Sequence, residues 1–329
     1  MKILVIRLSS IGDIVLTSPV VRCIRKKYPQ SEIHYLTKKP YAAIVQHNPN
    51  INKIHYLRKS IGVLIEELKR ENFDQIIDLH NNVRTLRIKK GLEKVPSHSF
   101  NKLNIQKWLL TNFKVNVMPH VHIVERYMET VKPLGIYGDG LGLDYFIAPN
   151  EEVSVNDIPT THMHGYVAVV IGAAHNTKKL PVEKLMELCS KIEHPVVLLG
   201  GKDDIEEASN IVNVDPIKIY NACGKFSINE SADLVRKAKI VVTHDTGLMH
   251  IAAAYKKKII SIWGNTVPSF GMYPYKTDYE VAEVKKLWCR PCSKIGHRKC
   301  PWGHFKCMRK QDIDQIVNSV HEYLNINPL

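Results

Sequence analysis

Val241-Val242-Thr243-His244-Asp245-Thr246-Gly247-Leu248-Met249-His250-Ile251-Ala252-Ala253-Ala254 is a change of secondary structure written into fourteen residues. The apolar, β-branched run from Ile240 to Val242 stops at Asp-Thr-Gly, and helix-forming residues begin at once. The pattern is a strand, a tight turn and a helix N-terminus. Such a helix start offers free backbone N–H groups and the positive end of the helix dipole, which together suit a phosphate. Thr246 and Gly247 leave room for a diphosphate to approach, and His250, about one turn further in, can face the same ligand. The plainer reading is an ordinary strand-to-helix connection with Asp245 as N-cap.

The N-terminus repeats the arrangement. Lys2–Ile6 reads as a buried strand, followed by Arg7-Leu8-Ser9-Ser10-Ile11-Gly12-Asp13 and a helix from Ile14 to about Lys27. No G-x-G-x-x-G is present, so a nicotinamide or flavin fingerprint is absent. The turn places one carboxylate, Asp13, at the carboxyl end of the first strand, where open α/β sheets bind ligands. A helix-capping aspartate is the alternative.

Strands and helices alternate along the chain as in parallel sheets. Further strands are expected at 33–36, 53–56 and 75–78, then at 166–171, 195–199, 218–220, 240–243 and 259–263. The stretch 103–134 reads as mostly helical, and an amphipathic helix over 312–324 closes the chain. Residues 135–161 lack periodicity, so the domain junction is placed late in them, giving domains 1–158 and 159–329. With 329 residues the chain suits two domains, and 44% hydrophobic with 24% charged residues is globular composition. No apolar run is long enough to span a bilayer, and no signal-peptide pattern precedes the first strand. A cytoplasmic protein is expected.

Three motifs, S-S-I-G-D (9–13), K-x-L-P (178–181) and D-T-G-L-M-H-I-A-A-A (245–254), stand in an order and spacing that resemble glycosyltransferase family 9, the bacterial heptosyltransferases of lipopolysaccharide core assembly. The resemblance spans essentially the whole chain. It implies a GT-B fold, two Rossmann-like βα domains facing across a cleft, with the terminal helix often packed back onto the first domain. It also implies an inverting, metal-independent transfer of heptose from ADP-heptose to the lipopolysaccharide inner core (Kdo–lipid A or a heptosyl acceptor).

Roles follow residue by residue. Asp13 is the general base for the acceptor hydroxyl. Lys178, the Asp245-Thr246-Gly247 helix start and His250 neutralise the departing diphosphate. Asp204 stands near the position that holds the ribose, and Phe226 near the one that flanks the adenine; a core phenylalanine is equally consistent. Where some relatives carry two hydroxyl residues, this chain has Ala173 and Ala174, so two phosphate contacts are missing unless His175, Asn176 or Thr177 supplies them.

The formal charge of +14 asks for an anionic partner. His122 and Arg126, four apart, match the family's H-x-x-x-R, linked to the acidic sugar of the acceptor. Arg84 and Arg87 are further candidates for carboxylate or phosphate. With Kdo–lipid A as acceptor, this charge draws the enzyme to the anionic face of the inner membrane. Nucleic acid is disfavoured because aromatics are sparse in the basic stretches. Cys289, Cys292, Cys300 and Cys307 form C-x2-C-x7-C-x6-C, able to build a structural zinc site with His297 and His304 as alternative ligands. Two rival readings stand beside this one. One is a same-fold glycosyltransferase using another nucleotide sugar; the other is a zinc-containing nucleic-acid-binding protein.

Overall fold

The computed structural model describes residues 1–326. The chain divides into two compact units, one made of Met1–Lys102 with Val121–Phe146, the other of Leu103–His120 with Ile147 onward. The change of unit falls between Phe146 and Ile147, earlier than the expected junction at 158.

In the first unit the apolar runs become the parallel strands β1 (Lys2–Ile6), β2 (Glu32–Thr37), β3 (Lys53–Tyr56), β4 (Gln75–Asp78) and β5 (Ser97–Ser99), in the order β3-β2-β1-β4-β5. Its helices are α1 (Ile11–Val15), α2 (Ser18–Lys27), α3 (Ile61–Lys69) and α4 (Val83–Gly91), with α6 (Ile123–Met128) following in a later segment. The single helix expected from Ile14 is two, because Pro19 in the first turn of α2 cannot donate a backbone hydrogen bond and restarts the helix there. Arg22 on α2 pairs with Asp139 (2.8 Å) and Asp144, and its guanidinium also donates to the Gly142 carbonyl, pinning the 139–144 segment.

The stretch 103–134 is likewise interrupted. α5 (Asn104–Phe113) ends well before α6, and the chain between them contains Pro119. α5 and its flanks join the second unit because Leu103, Leu110 and Met118 pack with Phe270, while Lys114 Nζ donates to the Pro291 carbonyl at 2.7 Å.

The second unit holds β6 (Val167–Val170), β7 (Val196–Leu199), β8 (Ile219–Asn221), β9 (Ile240–His244), β10 (Lys258–Trp263) and β11 (Tyr279–Glu283), parallel and ordered β11-β10-β9-β6-β7-β8. The helices are α7 (Val182–Lys191), α8 (Ile205–Val212), α9 (Ile228–Lys237), α10 (Gly247–Ala254), the short α11 (Lys306–Arg309) and α12 (Ile313–Leu324). The edge strands β5 and β11 were not expected. Ser97-His98-Ser99 is polar, and β11 is half-buried apart from Ala282, so neither shows the apolar run of a central strand.

The terminal helix belongs to the second unit. Ile313, Ile316, Val317 and Val320 of α12 enter the core of the second unit beside Leu185 and Leu188 of α7. Four apolar residues recurring at helical spacing find their burial locally. No helix among the described residues is long and apolar enough to cross a membrane.

Candidate active site

In the first unit the site grows from the carboxyl ends of β1 and β4. Arg7, the residue after β1, is buried, and its guanidinium is fully engaged. Nε donates to the Ser9 carbonyl at 2.8 Å; Nη1 donates to the Leu79 carbonyl at 2.5 Å and the Tyr127 hydroxyl at 2.9 Å. Nη2 pairs with Asp13 Oδ1 at 2.7 Å. Asp13, third residue of α1, also accepts from the Ser10 hydroxyl at 2.7 Å and the Ser10 amide at 3.2 Å, closing a capping box. Burial raises the Asp13 pKa, but the Arg7 charge and the Ser10 hydrogen bonds outweigh it, so the carboxyl is held below its usual range. Asp13 is an anion at neutral pH, with its side chain still about one-fifth exposed.

Residues that sequence reasoning did not assign share this end of the sheet. Asp78, closing β4, accepts from the amides of His80 and Asn81 and pairs with Lys89 at 3.1 Å. Burial, with Arg7 and Lys102 nearby, brings the His80 pKa down to about 4. Burial and Arg7 lower Lys102 as well. The signal for Arg7 was present in the sequence: a cation directly after a fully apolar strand must be neutralised by its surroundings.

The acceptor candidates divide. Arg126 lies buried on α6 beside Tyr127, the partner of Arg7, and burial lowers its pKa. His122 is the N-cap of α6, not a helical residue, and its Nδ1 accepts from the Val124 amide at 3.2 Å. Arg84 and Arg87 are exposed on α4.

In the second unit the 178–181 loop and the 245–247 turn meet. Lys178 Nζ pairs with Asp245 Oδ2 at 2.5 Å and donates to the Asp245 carbonyl at 3.3 Å. Thr266 Oγ1 donates to the same carboxylate oxygen at 3.0 Å. The Asp245 carboxylate is therefore committed to Lys178, and Thr246, not Asp245, is the N-cap of α10. Gly247 opens the helix, and His250 is buried in it. His244, ending β9, accepts from the Leu180 amide at 2.9 Å, tying the 178–181 loop to the strand; burial, with Lys179 nearby, holds its pKa down at about 3.

Asp204 is buried. Its oxygens take Lys179 Nζ and the Gly201 amide, both at 2.8 Å, and a Cβ on Gly172 would lie 2.4 Å from Oδ2. Both oxygens thus brace the β6 and β7 ends through existing partners. Phe226 is half-buried just before Ser227, the N-cap of α9, and lies outside the second unit's core cluster. Thr177, considered as a substitute phosphate ligand, is turned to another use: its hydroxyl donates to the His297 carbonyl at 3.1 Å and accepts from the His297 amide at 2.8 Å.

His297 belongs to the cysteine-rich loop. Cys289, Cys292, Cys300 and Cys307 line one small cavity with Trp302 and His304, and Cys289 Sγ lies 3.7 Å from His304 Nε2. Burial, with the neighbouring thiols, pushes Cys307 up to about 12, so it is a neutral thiol in the free protein. Arg290 anchors the loop, donating to the carbonyls of Gly264 (2.6 Å) and Thr266 (3.0 Å) and pairing with Glu283 at 2.6 Å.

Comparison with known proteins places these residues in context. Residues 61–302 match the model of glycosyltransferase family 9 (heptosyltransferase). Lipopolysaccharide heptosyltransferase 1 of Campylobacter coli is 25% identical over 295 residues, covering 82% of this chain and 85% of that protein. A glycosyl transferase family 9 structure from Veillonella parvula aligns with a TM-score of 0.79 at 22% identity, over 99% of this chain and 98% of that one. E. coli heptosyltransferase WaaC with ADP aligns at 0.71 and 21% identity, over 98% of this chain and all of that one. The fold is GT-B, each unit a Rossmann-like α/β sheet.

The Arg7–Asp13 pair has a pH signature. A carboxyl whose native pKa lies below its unfolded value adds stability that is fully present above about pH 4 and lost as pH falls through the native value. Asp13→Asn should cost about 2 kcal/mol at pH 7, by loss of a charge-assisted hydrogen bond to a buried guanidinium. Urea unfolding at pH 7 and pH 3 checks this: the gap between wild type and variant should narrow in acid, and an equal gap at both pH values excludes the pair as a source of stability.

Proposed function

The chain belongs to glycosyltransferase family 9, and from that membership we propose that it transfers a heptose from ADP-heptose to the lipopolysaccharide inner core, with inversion at the anomeric carbon. The observation that carries the reading is the pairing of Lys178 with the 245–247 turn. It sets an ammonium beside the exposed N–H groups of a helix start, the charge pattern a diphosphate needs.

The reaction forms a bond between the acceptor oxygen and the anomeric carbon and breaks the bond from that carbon to the diphosphate. Asp13 takes the hydroxyl proton. The Arg7 pair makes it a weak base, which suits late proton transfer, once the new C–O bond has acidified the hydroxyl. The electron pair leaves with ADP, whose charge is met by Lys178, the Thr246-Gly247 helix start and His250. Asp245 and Thr266 position Lys178, Asp204 and Lys179 shape the neighbouring loop, and Phe226 flanks the adenine. These cations serve the leaving group without a catalytic metal. His122, Arg126, Arg84 and Arg87 serve the anionic acceptor, and nucleic acid is not a partner.

The test uses the purified protein with ADP, ADP-heptose and UDP-sugars. Adenine nucleotides should raise the melting temperature selectively; a response to UDP-sugars alone would replace the donor. Lys178→Ala should weaken ADP binding tenfold or more in calorimetry, equivalent to about 1.4 kcal/mol. Asp13→Ala should abolish transfer with ADP affinity retained, and near wild-type turnover by that variant would remove Asp13 as the base.

Peripheral contact with the cytoplasmic membrane face is supported by α5. It exposes Ile105, Trp108 and Phe113, with Val115 and Val117 following, beside Lys107 and Lys114. An apolar face flanked by lysines is the composition of an interfacial helix. Trp108→Glu should reduce sedimentation with anionic vesicles several-fold while leaving ADP binding intact; equal sedimentation of both proteins would exclude α5 as the contact.

The cysteine-rich loop is proposed to hold a structural zinc. What supports the reading is the donor set: four thiols and His304 line one cavity, on a loop joined to Thr177 and Thr266, and no three of their ligand atoms lie within 4.8 Å of one another, so the loop would draw in around the ion. Zinc there would be held by Cys289, Cys292, Cys300 and Cys307 and would fix the loop. Cys300→Ser should lower both the melting temperature and, through Thr177 and Lys178, the affinity for ADP. A variant unchanged in both would refute the assignment.

A further inference from the structure

Among the described residues, one trio of His, Cys, Asp or Glu side chains has ligand atoms that all lie within 4.8 Å of one another, and it shares no residue with the site above. His34 of β2, His55 of β3 and Glu71, after α3, meet in the first unit. His34 is the third residue of β2 and His55 the third of β3, and both stand within 4.0 Å of Glu71, whereas Asp13 pairs with Arg7 beyond the carboxyl end of β1. Nothing in the transfer reaction uses this cluster.

We propose that His34, His55 and Glu71 bind a divalent transition metal of the zinc class. The first argument is convergence. His34 Nδ1 and His55 Nε2 face each other at 2.9 Å, and the Glu71 oxygens stand 3.9 Å from the first and 4.0 Å from the second. Two ligands on a tetrahedral ion at zinc–nitrogen distances lie about 3.3 Å apart. The nitrogens need to part by a few tenths of an ångström, and one Glu71 oxygen, now within 4.8 Å of both, needs to close on them by a small side-chain rotation.

The second argument is the tautomer. His34 Nε2 stands 2.8 Å from Glu32 Oε1, a contact the carboxylate can only accept. The His34 proton therefore sits on Nε2, leaving the Nδ1 lone pair for the metal. A carboxylate holding the far N–H of a ligating imidazole is the arrangement that orients metal-binding histidines. The third argument is rigidity: the Phe73 ring meets both imidazoles edge-on, with centroids 5.2 and 6.1 Å away, and His34 is fully buried.

Two ammonium groups currently neutralise the carboxylates. Lys53 pairs with Glu71 at 2.5 Å, and Lys2 bridges Glu71 (3.5 Å) and Glu32 (3.2 Å). The Lys53 side chain is 54% exposed. A cation entering between the histidines displaces it into water, where solvation is cheap, so the lysine occupies the charge position of the ion without blocking its access.

Chelator-treated protein is titrated with Zn²⁺ and with Co²⁺, reading stoichiometry, melting temperature and visible absorption. Wild type should bind one more equivalent than His55→Asn or Glu71→Gln. The Co²⁺ lost with either variant should show d–d bands without a thiolate charge-transfer band, which separates it from any ion on the cysteines. Glu71→Gln is the second variant because its side chain lies nearer the surface. Equal stoichiometry in wild type and Glu71→Gln, or a thiolate band accompanying every equivalent bound, would overturn the site. ADP affinity should be the same in all three proteins, so this result and the donor-site result fail independently.

Discussion

A guanidinium buried at the end of a fully apolar strand has to be neutralised and hydrogen-bonded, because an unpaired buried charge costs several kcal/mol. Arg7 meets that demand by gathering Ser9 and Asp13, Leu79 and Tyr127 from three separate stretches of chain. The turn after β1, the end of β4 and α6 are thereby fixed relative to one another. The same contacts decide the chemistry of Asp13. Its carboxyl is ionised because Arg7 is charged, and its place at the third position of α1 is held by Ser10. The bonds that neutralise Arg7 and those that place Asp13 are one set, so the carboxyl cannot be altered without disturbing the anchor.

The second unit solves the same problem with a lysine. Lys178 needs a carboxylate in the free protein, and Asp245 supplies it, held in turn by Thr266. The cysteine-rich loop grips this assembly from two sides. Arg290 donates to the Thr266 carbonyl, and His297 exchanges hydrogen bonds with Thr177, next to Lys178. A loop that presents as a separate metal feature in the sequence is thus a brace for the segment that carries Lys178. Any anion reaching that ammonium competes with Asp245 for it.

Legibility in the sequence tracked burial. The strands buried along most of their length were readable from their apolar runs, and Lys2–Ile6 and Gln75–Asp78 fall at the expected residues, as does the half-exposed edge strand Lys53–Tyr56. The polar edge strand β5 and the half-buried β11 were invisible because an edge strand needs no apolar run. The motifs placed Asp13, Lys178 and the 245–247 turn at strand ends. What they could not convey was pairing across long sequence separations. Nothing local says that Arg7 meets Tyr127, that Asp204 is occupied by Lys179, or that Thr177 answers His297. His122 illustrates the limit within four residues: i, i+4 spacing suggests a shared helix face, yet the histidine caps the helix instead.

The surplus of positive charge is a property of the surface. Four of the more buried cations are matched by carboxylates: Arg7 with Asp13, Arg22 with Asp139 and Asp144, Lys179 with Asp204 and Glu207, Arg290 with Glu283. Each such pair removes one carboxylate from the count available to balance exposed lysines and arginines. The net +14 therefore resides on residues such as Arg84, Arg87 and Lys114, which face solvent. A field of that kind acts at long range and in a salt-dependent way on anionic partners, raising encounter rates more than it tightens any single contact. Arg126 stands apart from that field: it is buried, and a desolvated guanidinium is far more sensitive to the placement of an opposing anion than an exposed one.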